Sequence, residues 1–308
     1  MNNIQLRIAD CELRIERQDN SSYRGDRRDR GEILFLSAKF SSATSASSAV
    51  KSLILYSVLT ALILCSLNSI AFAISGREVY EKVHEVRTKA LDRKTEATMV
   101  LFDKGGGKRT RTLTEYSKNA APEAYKVLVV FKSPPDLKNV GFLIHAHTFA
   151  ERDLWAYFPE YKRVRRIPNS SQDDSFFGSD FSYDDFSGPP NLDDYSFTIL
   201  RDEVVDGKQT YVVEVTPKVR RKYTKYVAWV AKDLWVHVKI EYYQDRDLYR
   251  TGLFTDIRTV EGIPTPFRLD MENRKTNHRT VLTLQNVQYH THFTDDLFTQ
   301  RSLERAGK

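Results

Sequence analysis

Alternation of apolar and polar residues over short segments dominates the sequence from about residue 95 onward. Tyr125, Val127, Val129 and Phe131 recur at every second position, with Lys126 and Lys132 at alternate positions, and turn residues such as Asp206-Gly207 separate this and similar runs. A period of two predicts β-strands, and tight turns between such runs predict hairpins. Because no strand–helix–strand rhythm occurs, a parallel sheet is not expected. About twelve strands in meander order instead predict one strongly curved antiparallel sheet or a barrel.

Two segments at the ends of this pattern are expected to be helical. Ser75 and Glu78 have the spacing of a capping box, and Val79, Val83 and Val86 follow at helical spacing. These residues predict a helix over 76–91. The closing segment 293–303 is predicted to be a short helix or an irregular stretch that packs back on the sheet.

Residues 52–73 form the one long apolar run of the sequence. Lys51 precedes the run, and Ala71-Phe72-Ala73 ends it with the small-x-small pattern of a cleavage site. This arrangement predicts a signal peptide over 50–73 and an exported, periplasmic protein. The alternative is an uncleaved anchor in the inner membrane, although polar residues dilute the second half of the run and a spanning helix needs about 20 apolar residues.

The domain organisation follows from this run. Residues 1–49 mix both charges densely and are interpreted either as a disordered extension or as the product of a mis-assigned start, with translation beginning at Val50. Residues 74–308 are predicted to form one folded domain. Cys11 and Cys65 both precede the cleavage site, so the mature domain has no cysteine for a disulfide, a nucleophile or a metal.

Residues 168–194 interrupt the alternating pattern, and we call them the lid segment. They are rich in aspartate and in aromatic residues and have no clear period. A connection of this length is usually functional or disordered, and the aromatic content argues against disorder. The segment is therefore expected to fold onto the mouth of the sheet, either as a gate over a ligand or as a plug that fills one end of the barrel.

Three motifs around this segment carry a family resemblance. Trp155-Ala156-Tyr157-Phe158-Pro159 precedes Lys162-Arg163-Val164-Arg165-Arg166-Ile167, and Ser175-Phe176-Phe177-Gly178-Ser179-Asp180-Phe181-Ser182-Tyr183-Asp184-Asp185 follows. With the N-terminal helix and the closing segment, the sequence resembles the LolA-like family of outer membrane lipoprotein-sorting proteins over about residues 75–305.

The resemblance implies an incomplete antiparallel barrel with helices across its open mouth, whose cavity shelters acyl chains of lipids or lipoproteins. An inner-membrane transporter or an outer-membrane acceptor is the partner implied. The residues expected to contact the ligand are aromatic: Phe142, Trp155, Tyr157, Phe176, Phe177, Phe181, Tyr183 and Phe186. Lys162, Arg163, Arg165 and Arg166 are expected either to bind a headgroup or to hold the lid through its aspartates.

Other functions find little support in the sequence. A second basic cluster, Lys218, Arg220, Arg221, Lys222 and Lys225, could meet anionic headgroups or a partner protein, but a solvated hairpin edge protected by its charge is the favoured interpretation. The pairs His145/His147 and His290/His292 lack acidic partners at metal-ligand spacing, so no metal or cofactor is predicted. No nucleophile elbow, phosphate loop or nucleic-acid stripe occurs. The prediction is a non-enzymatic carrier, and the alternative is an envelope interaction protein whose barrel its own side chains fill.

Overall fold

The computed structural model describes residues 5–8, 11–14, 37–39, 74–121, 124–147 and 150–306. The chain divides into two compact units, Met1–Phe72 and Ala73–Lys308. In the first unit, β1 (Gln5–Ile8), β2 (Cys11–Arg14) and β3 (Ser37–Lys39) pair in antiparallel fashion. The predicted signal peptide lies outside the described residues. Among the helices described, none has the length and apolar character needed to cross a membrane.

The second unit begins with α1 (Gly76–Thr88), which confirms the predicted N-terminal helix. The Ser75 hydroxyl accepts a hydrogen bond from the Glu78 amide, and the Glu78 carboxylate accepts one from the Ser75 amide, as the capping box requires. The helix ends earlier than predicted because the Asn119 side chain donates hydrogen bonds to the carbonyls of Thr88 and Ala90. These bonds satisfy carbonyls at the helix end and lead the chain directly into the first strand of the main sheet.

One antiparallel sheet of 13 strands forms the body of the second unit as described. From one edge to the other its order is β10, β11, β12, β13, β14, β15, β16, β4, β5, β6, β7, β8 and β9. All neighbours except β16 and β4 are consecutive in sequence, so nearly every connection is a hairpin. The strands are β4 (Asp92–Phe102), β5 (Lys108–Ala121), β6 (Ala124–Ser133), β7 (Gly141–His147), β8 (Ala150–Phe158), β9 (Arg163–Ile167), β10 (Tyr195–Val205), β11 (Lys208–Pro217), β12 (Lys225–Ala231), β13 (His237–Gln244), β14 (Asp247–Val260), β15 (Ile263–Asn273) and β16 (His278–Tyr289).

The sheet is curved but is not closed into a barrel. The edge strands β9 and β10 do not pair with each other within the described sheet, and the lid segment connects them along the chain. We call the face that meets α1 and the lid segment the inner face, and the opposite face the outer face. This architecture confirms the predicted mainly β fold with an incomplete barrel.

Strands β6 and β7, which lie toward the β9 edge of the sheet, are buried on both faces. On β6, Val127 and Val129 pack on the inner face, whereas Leu128 and Val130 pack on the outer face against the C-terminal segment. That segment consists of a short 3-10 turn (Asp295–Phe298) and α2 (Gln300–Ala306). Two of its apolar side chains, Phe298 and Leu303, are fully buried there, so the short C-terminal helix acts as a cover for the outer face.

Candidate functional site

A cavity of about 310 Å3 lies between α1, the inner face of the sheet and the lid segment. Its apolar wall includes Ile240, Leu269, Met271, Leu282, Leu284 and Phe254. Charged side chains line other parts of it: Arg93, Glu115, Arg152, Asp184, Asp185 and Arg250. The volume falls at the lower end of the roughly 300–1,000 Å3 of small-molecule sites. The cavity is therefore large enough for a slender ligand and has chemically different walls.

The lid segment folds through its own backbone hydrogen bonds. It contains four 3-10 turns, at Asn169–Ser171, Phe176–Gly178, Asp184–Phe186 and Leu192–Asp194. The Phe176 amide donates to the Phe181 carbonyl at 2.7 Å, and the Asp184 amide donates to the Gln172 carbonyl at 2.9 Å. These bonds pin the two ends of the aromatic stretch together, so the lid segment is an ordered part of the domain.

The lid segment can approach the sheet closely at Gly188 because this residue has no side chain. Gly188 has φ +83°, and a Cβ placed on it would lie 2.1 Å from the Tyr125 ring. A residue with a side chain would meet both backbone strain and a steric clash at this point. The close approach seats the second half of the lid against β6.

Six of the eight predicted ligand residues meet in one cluster on the inner face: Phe142, Phe176, Phe177, Phe181, Tyr183 and Phe186. Phe176 is fully buried, with ring centroids of Phe186 and Phe142 at 4.3 and 5.5 Å. Only Phe181 and Phe186 of the six line the cavity. The other four form a packed layer behind them, so the cluster fills part of the barrel and presents two rings to the remaining space.

The structure does not bring Trp155 and Tyr157 to this cluster. Leu143 pairs with Trp155 across β7 and β8, whereas Phe142 pairs with Ala156. Residues opposite each other in a sheet share a face, so Trp155 and Tyr157 lie on the face opposite to Phe142. There they pack with Phe298 and Leu303 of the C-terminal segment. Their placement gives them a role in holding that segment.

The basic residues predicted to hold the lid also lie elsewhere. Lys162, Arg163, Arg165 and Arg166 are exposed, and Arg166 pairs with Asp153 on the neighbouring strand at 2.5 Å. The lid carboxylates instead meet arginines from distant strands. Asp185 pairs with Arg250 of β14 at 2.7 Å, and Asp184 contacts Arg152 of β8.

Arg152, Arg221 and Arg250, which are far apart in sequence, form a cluster of buried arginines that was not predicted from the sequence. Their side chains are 13%, 7% and 7% exposed. Arg152 shares the inner face of β8 with the core residue Leu154, and Arg221 comes from the connection between β11 and β12. An arginine at an inward-facing strand position, as at residues 152 and 250, is the signal that could have indicated a buried charge.

The wall beneath α1 is rich in tyrosine and histidine. Tyr80, Tyr195, Tyr223, Tyr226 and Tyr242 pack together there, and burial raises the pKa of Tyr80, Tyr223, Tyr226 and Tyr242 above the ordinary value. These hydroxyls stay neutral at physiological pH. They give this wall hydrogen-bonding capacity without charge.

His237 is a buried base in the same wall. Its Nε2 atom is buried and has no hydrogen-bond partner, and burial, with the nearby Arg87 charge, lowers the pKa of His237 to about 3. The pKa of His84, which also lines the cavity, is lowered by the same two causes. Both rings are therefore neutral in the folded protein near neutral pH.

The shift at His237 predicts acid-labile stability. In the unfolded chain a histidine takes up a proton below about pH 6.5, whereas folded His237 stays neutral down to about pH 3. Stability present above pH 6.5 is thus lost as the pH falls toward 3. Between pH 6 and 5, the free energy of unfolding of the parent should therefore fall by about 1 kcal/mol more than that of His237→Gln, because glutamine does not titrate. Urea unfolding at the two pH values measures the difference. His290→Gln is the control, because His290 is exposed, and its stability should change with pH as that of the parent does. If His237→Gln loses as much stability as the parent between pH 6 and 5, His237 is not the source of the acid lability.

Metal ligands do not cluster in the described ranges. No group of three or more His, Cys, Asp or Glu residues that could hold a metal ion occurs among the residues described. The Nε2 atom of His145 lies 2.7 Å from the Phe298 carbonyl oxygen and so belongs to the packing of the C-terminal segment.

The curved sheet, the covering helix and the aromatic lid over a cavity define the LolA-like class of fold. Three solved structures share it. A DUF1329 family protein from Desulfovibrio piger has 29% identity and a TM-score of 0.71, with 74% of this chain and 97% of that chain covered. A putative outer membrane lipoprotein-sorting protein domain from Vibrio parahaemolyticus has 27% identity and a TM-score of 0.71, over 75% of this chain and 98% of that one. A LolA superfamily protein from Nitrosomonas europaea shares the fold at 21% identity and a TM-score of 0.60, with 75% and 100% covered.

A family model described as "Uncharacterized protein" matches residues 123–305. The chain belongs to that family, and it shares its fold with the LolA superfamily protein, which agrees with the resemblance seen in the sequence. No curated protein matches the chain.

Proposed function

We propose that the protein is an exported, periplasmic carrier that binds the acyl chain of a lipid or lipoprotein in the cavity under α1. The observation that carries the proposal is the apolar wall of that cavity, formed by Leu269, Leu282 and Leu284 together with Phe181 and Phe186 of the lid. An acyl chain gains about 0.8 kcal/mol for each methylene removed from water, so such a wall holds it without a charged contact.

The relatives support this choice. The Vibrio parahaemolyticus structure is described as a putative outer membrane lipoprotein-sorting protein domain, and the family resemblance of the lid motifs points the same way. Transfer of a lipoprotein between membranes requires shelter for its acyl chains in the aqueous periplasm. The proposal includes non-enzymatic action and a membrane-side partner, an inner-membrane transporter or an outer-membrane acceptor.

One observation favours a second candidate, an envelope interaction protein with a self-filled barrel. Phe176 is fully buried against rings of the sheet and of the lid itself, so part of the inner face already has an aromatic filling. The two candidates differ in one respect: a carrier must accept an apolar chain in the remaining space, and an interaction protein need not.

Filling the cavity tests the carrier. Leu284 lines the cavity and is nearly buried, so Leu284→Trp should occupy the space and weaken binding of a fluorescent fatty acid by about tenfold or more, equivalent to 1.4 kcal/mol. Binding is measured by fluorescence titration of the purified domain.

Leu253→Trp is the matched control, because Leu253 is 41% exposed and does not line the cavity. Its affinity should equal that of the parent. Absence of fatty-acid binding by the parent protein would exclude the carrier and leave the self-filled barrel as the better account.

A further inference from the structure

Two arginines converge on one carboxylate oxygen of the lid. Arg152 Nη1 contacts Asp184 Oδ1, and Arg221 Nη1 lies 3.8 Å from the same oxygen. The two guanidinium groups come from opposite halves of the sheet, β8 and the connection after β11, and meet across the inner face. Because both guanidinium groups approach the same oxygen, two like charges are held close together, and burial with the nearby Arg221 charge lowers the pKa of Arg152. Such a pair has a strong electrostatic preference for an anion between its members.

The Asp184 carboxylate satisfies only part of the hydrogen-bonding capacity of the two guanidinium groups. Arg221 is only 7% exposed, yet its Nε and Nη1 atoms have no hydrogen-bond partner; its Nη2 atom donates to the Tyr195 hydroxyl at 3.3 Å. A buried guanidinium with unmet donors is costly, and it matches the paired oxygens of a carboxylate or phosphate. Asp173 acts on both arginines through its charge, but its carboxylate accepts a hydrogen bond from the Lys222 amide.

The position of this site in the cavity matters as much as its charge. Arg152, Asp184, Tyr195 and Tyr223 line one part of the cavity. Arg221 is not among the lining side chains, but it lies 3.8 Å from Asp184 Oδ1 and donates to the Tyr195 hydroxyl, so it is next to this part. The leucine wall lines the same space. One continuous space therefore offers a cationic surface for a headgroup and an apolar surface for a chain.

We propose that Arg152 and Arg221 bind the anionic headgroup, a carboxylate or phosphate, of the amphiphile that the cavity takes up, and that Asp184 of the lid competes for the same site. The inference rests on the proposed carrier function and adds the chemical class of the ligand. Entry of the headgroup replaces the Asp184 contact, so ligand binding and release of this part of the lid are coupled.

Probes with one chain and different heads test the inference. Calorimetric titration should show that the parent binds dodecyl phosphate or dodecanoate at least tenfold more tightly than dodecanol. Arg221→Gln should bring the anionic probes down to the affinity of dodecanol and leave dodecanol binding unchanged. Asp184→Asn should tighten dodecyl phosphate binding several-fold, because the competing charge is gone. The exposed Arg163→Gln is the matched control and should behave as the parent.

The outcomes separate this inference from the carrier function. Equal binding of dodecanol and the anionic probes, or a headgroup preference that survives Arg221→Gln, would overturn the headgroup site and leave the carrier intact. Binding of no amphiphile at all would overturn both. Inorganic phosphate bound as tightly as dodecyl phosphate would show a free-anion site and refute the headgroup assignment. If thermal melting shows that Arg221→Gln does not fold, Asp184→Asn tests the proposal instead. Binding of dodecyl phosphate that is not tighter than in the parent would then contradict the proposed headgroup site.

Discussion

Replacing Phe176 with alanine is expected to destabilise the domain by about 3–5 kcal/mol. Phe176 is fully buried and meets the rings of Phe186, Phe177 and Phe142 at 4.3, 4.9 and 5.5 Å between centroids. Its removal takes a large apolar side chain out of the core and leaves a hole that the rigid strands on either side cannot close. Urea unfolding followed by tryptophan fluorescence measures the change.

The same variant distinguishes a plug from a gate. Tyr161→Ala is the control, because Tyr161 is 53% exposed, and its cost should stay near 0.5 kcal/mol. A large loss for Phe176→Ala means that the packed lid is part of the folding core and works as a plug at that point. A loss below about 1 kcal/mol would mean that the lid leaves the sheet at little cost, as a gate does.

Most strands were predictable because they carry a period of two. Others, such as β6 and β12, are short apolar runs bounded by turn residues, and the antiparallel order follows from the short turns. The residues at which strands begin and end are harder to predict where a single backbone angle decides the boundary. Trp235 is the first large apolar residue but one after the turn at Lys232-Asp233, and its φ of +54° leaves it outside the strand, so that β13 begins at His237. Backbone angles of this kind are set by the neighbouring strands and leave no mark in the local pattern.

The assignment of faces was harder to obtain from the sequence. Alternation shows that Trp155 and Ala156 point in opposite directions, but it does not say which of them shares a face with Phe142. That depends on the pairing register of β7 and β8, which contains an irregularity between His145 and His147. Because apolar side chains lie on both faces of β6 and β7, and of β8 from Leu154 onward, neither set can be recognised as the outer one.

The arginine cluster shows a third limit. Arg221 lies in a run of basic residues that is typical of a solvated hairpin, and nothing near it in sequence indicates burial. Its burial depends on Asp184 and Tyr195, which reach it only when the two halves of the curved sheet face each other. The sequence predicts Arg163, Arg165 or Arg166 as partners of the lid aspartates, whereas Asp184 meets Arg152 and Asp185 meets Arg250, because the choice among arginines depends on the tertiary fold.

Arg250→Met is expected to cost about 3–5 kcal/mol, the usual penalty for removing one partner of a buried ion pair. Arg250 donates from Nη1 to Asp185 Oδ2 at 2.7 Å and from Nη2 to Oδ1 at 3.3 Å, and both side chains are largely buried. Without the guanidinium, the Asp185 carboxylate keeps only its hydrogen bonds from Ser182 in a site that excludes most water. The loss should therefore come mainly from the uncompensated charge.

A second substitution checks that reason. Adding Asp185→Asn to Arg250→Met removes the isolated charge, so the double variant should regain about 1 kcal/mol or more relative to the single one. Arg201→Met, which removes an exposed pair with Glu203, is the control and should cost no more than about 1 kcal/mol. A double variant that is less stable than Arg250→Met would show instead that the Ser182 hydrogen bonds, rather than the charge balance, hold the lid. In that case the pairing of Arg250 with Asp185 would be a consequence of the lid's position and not its cause.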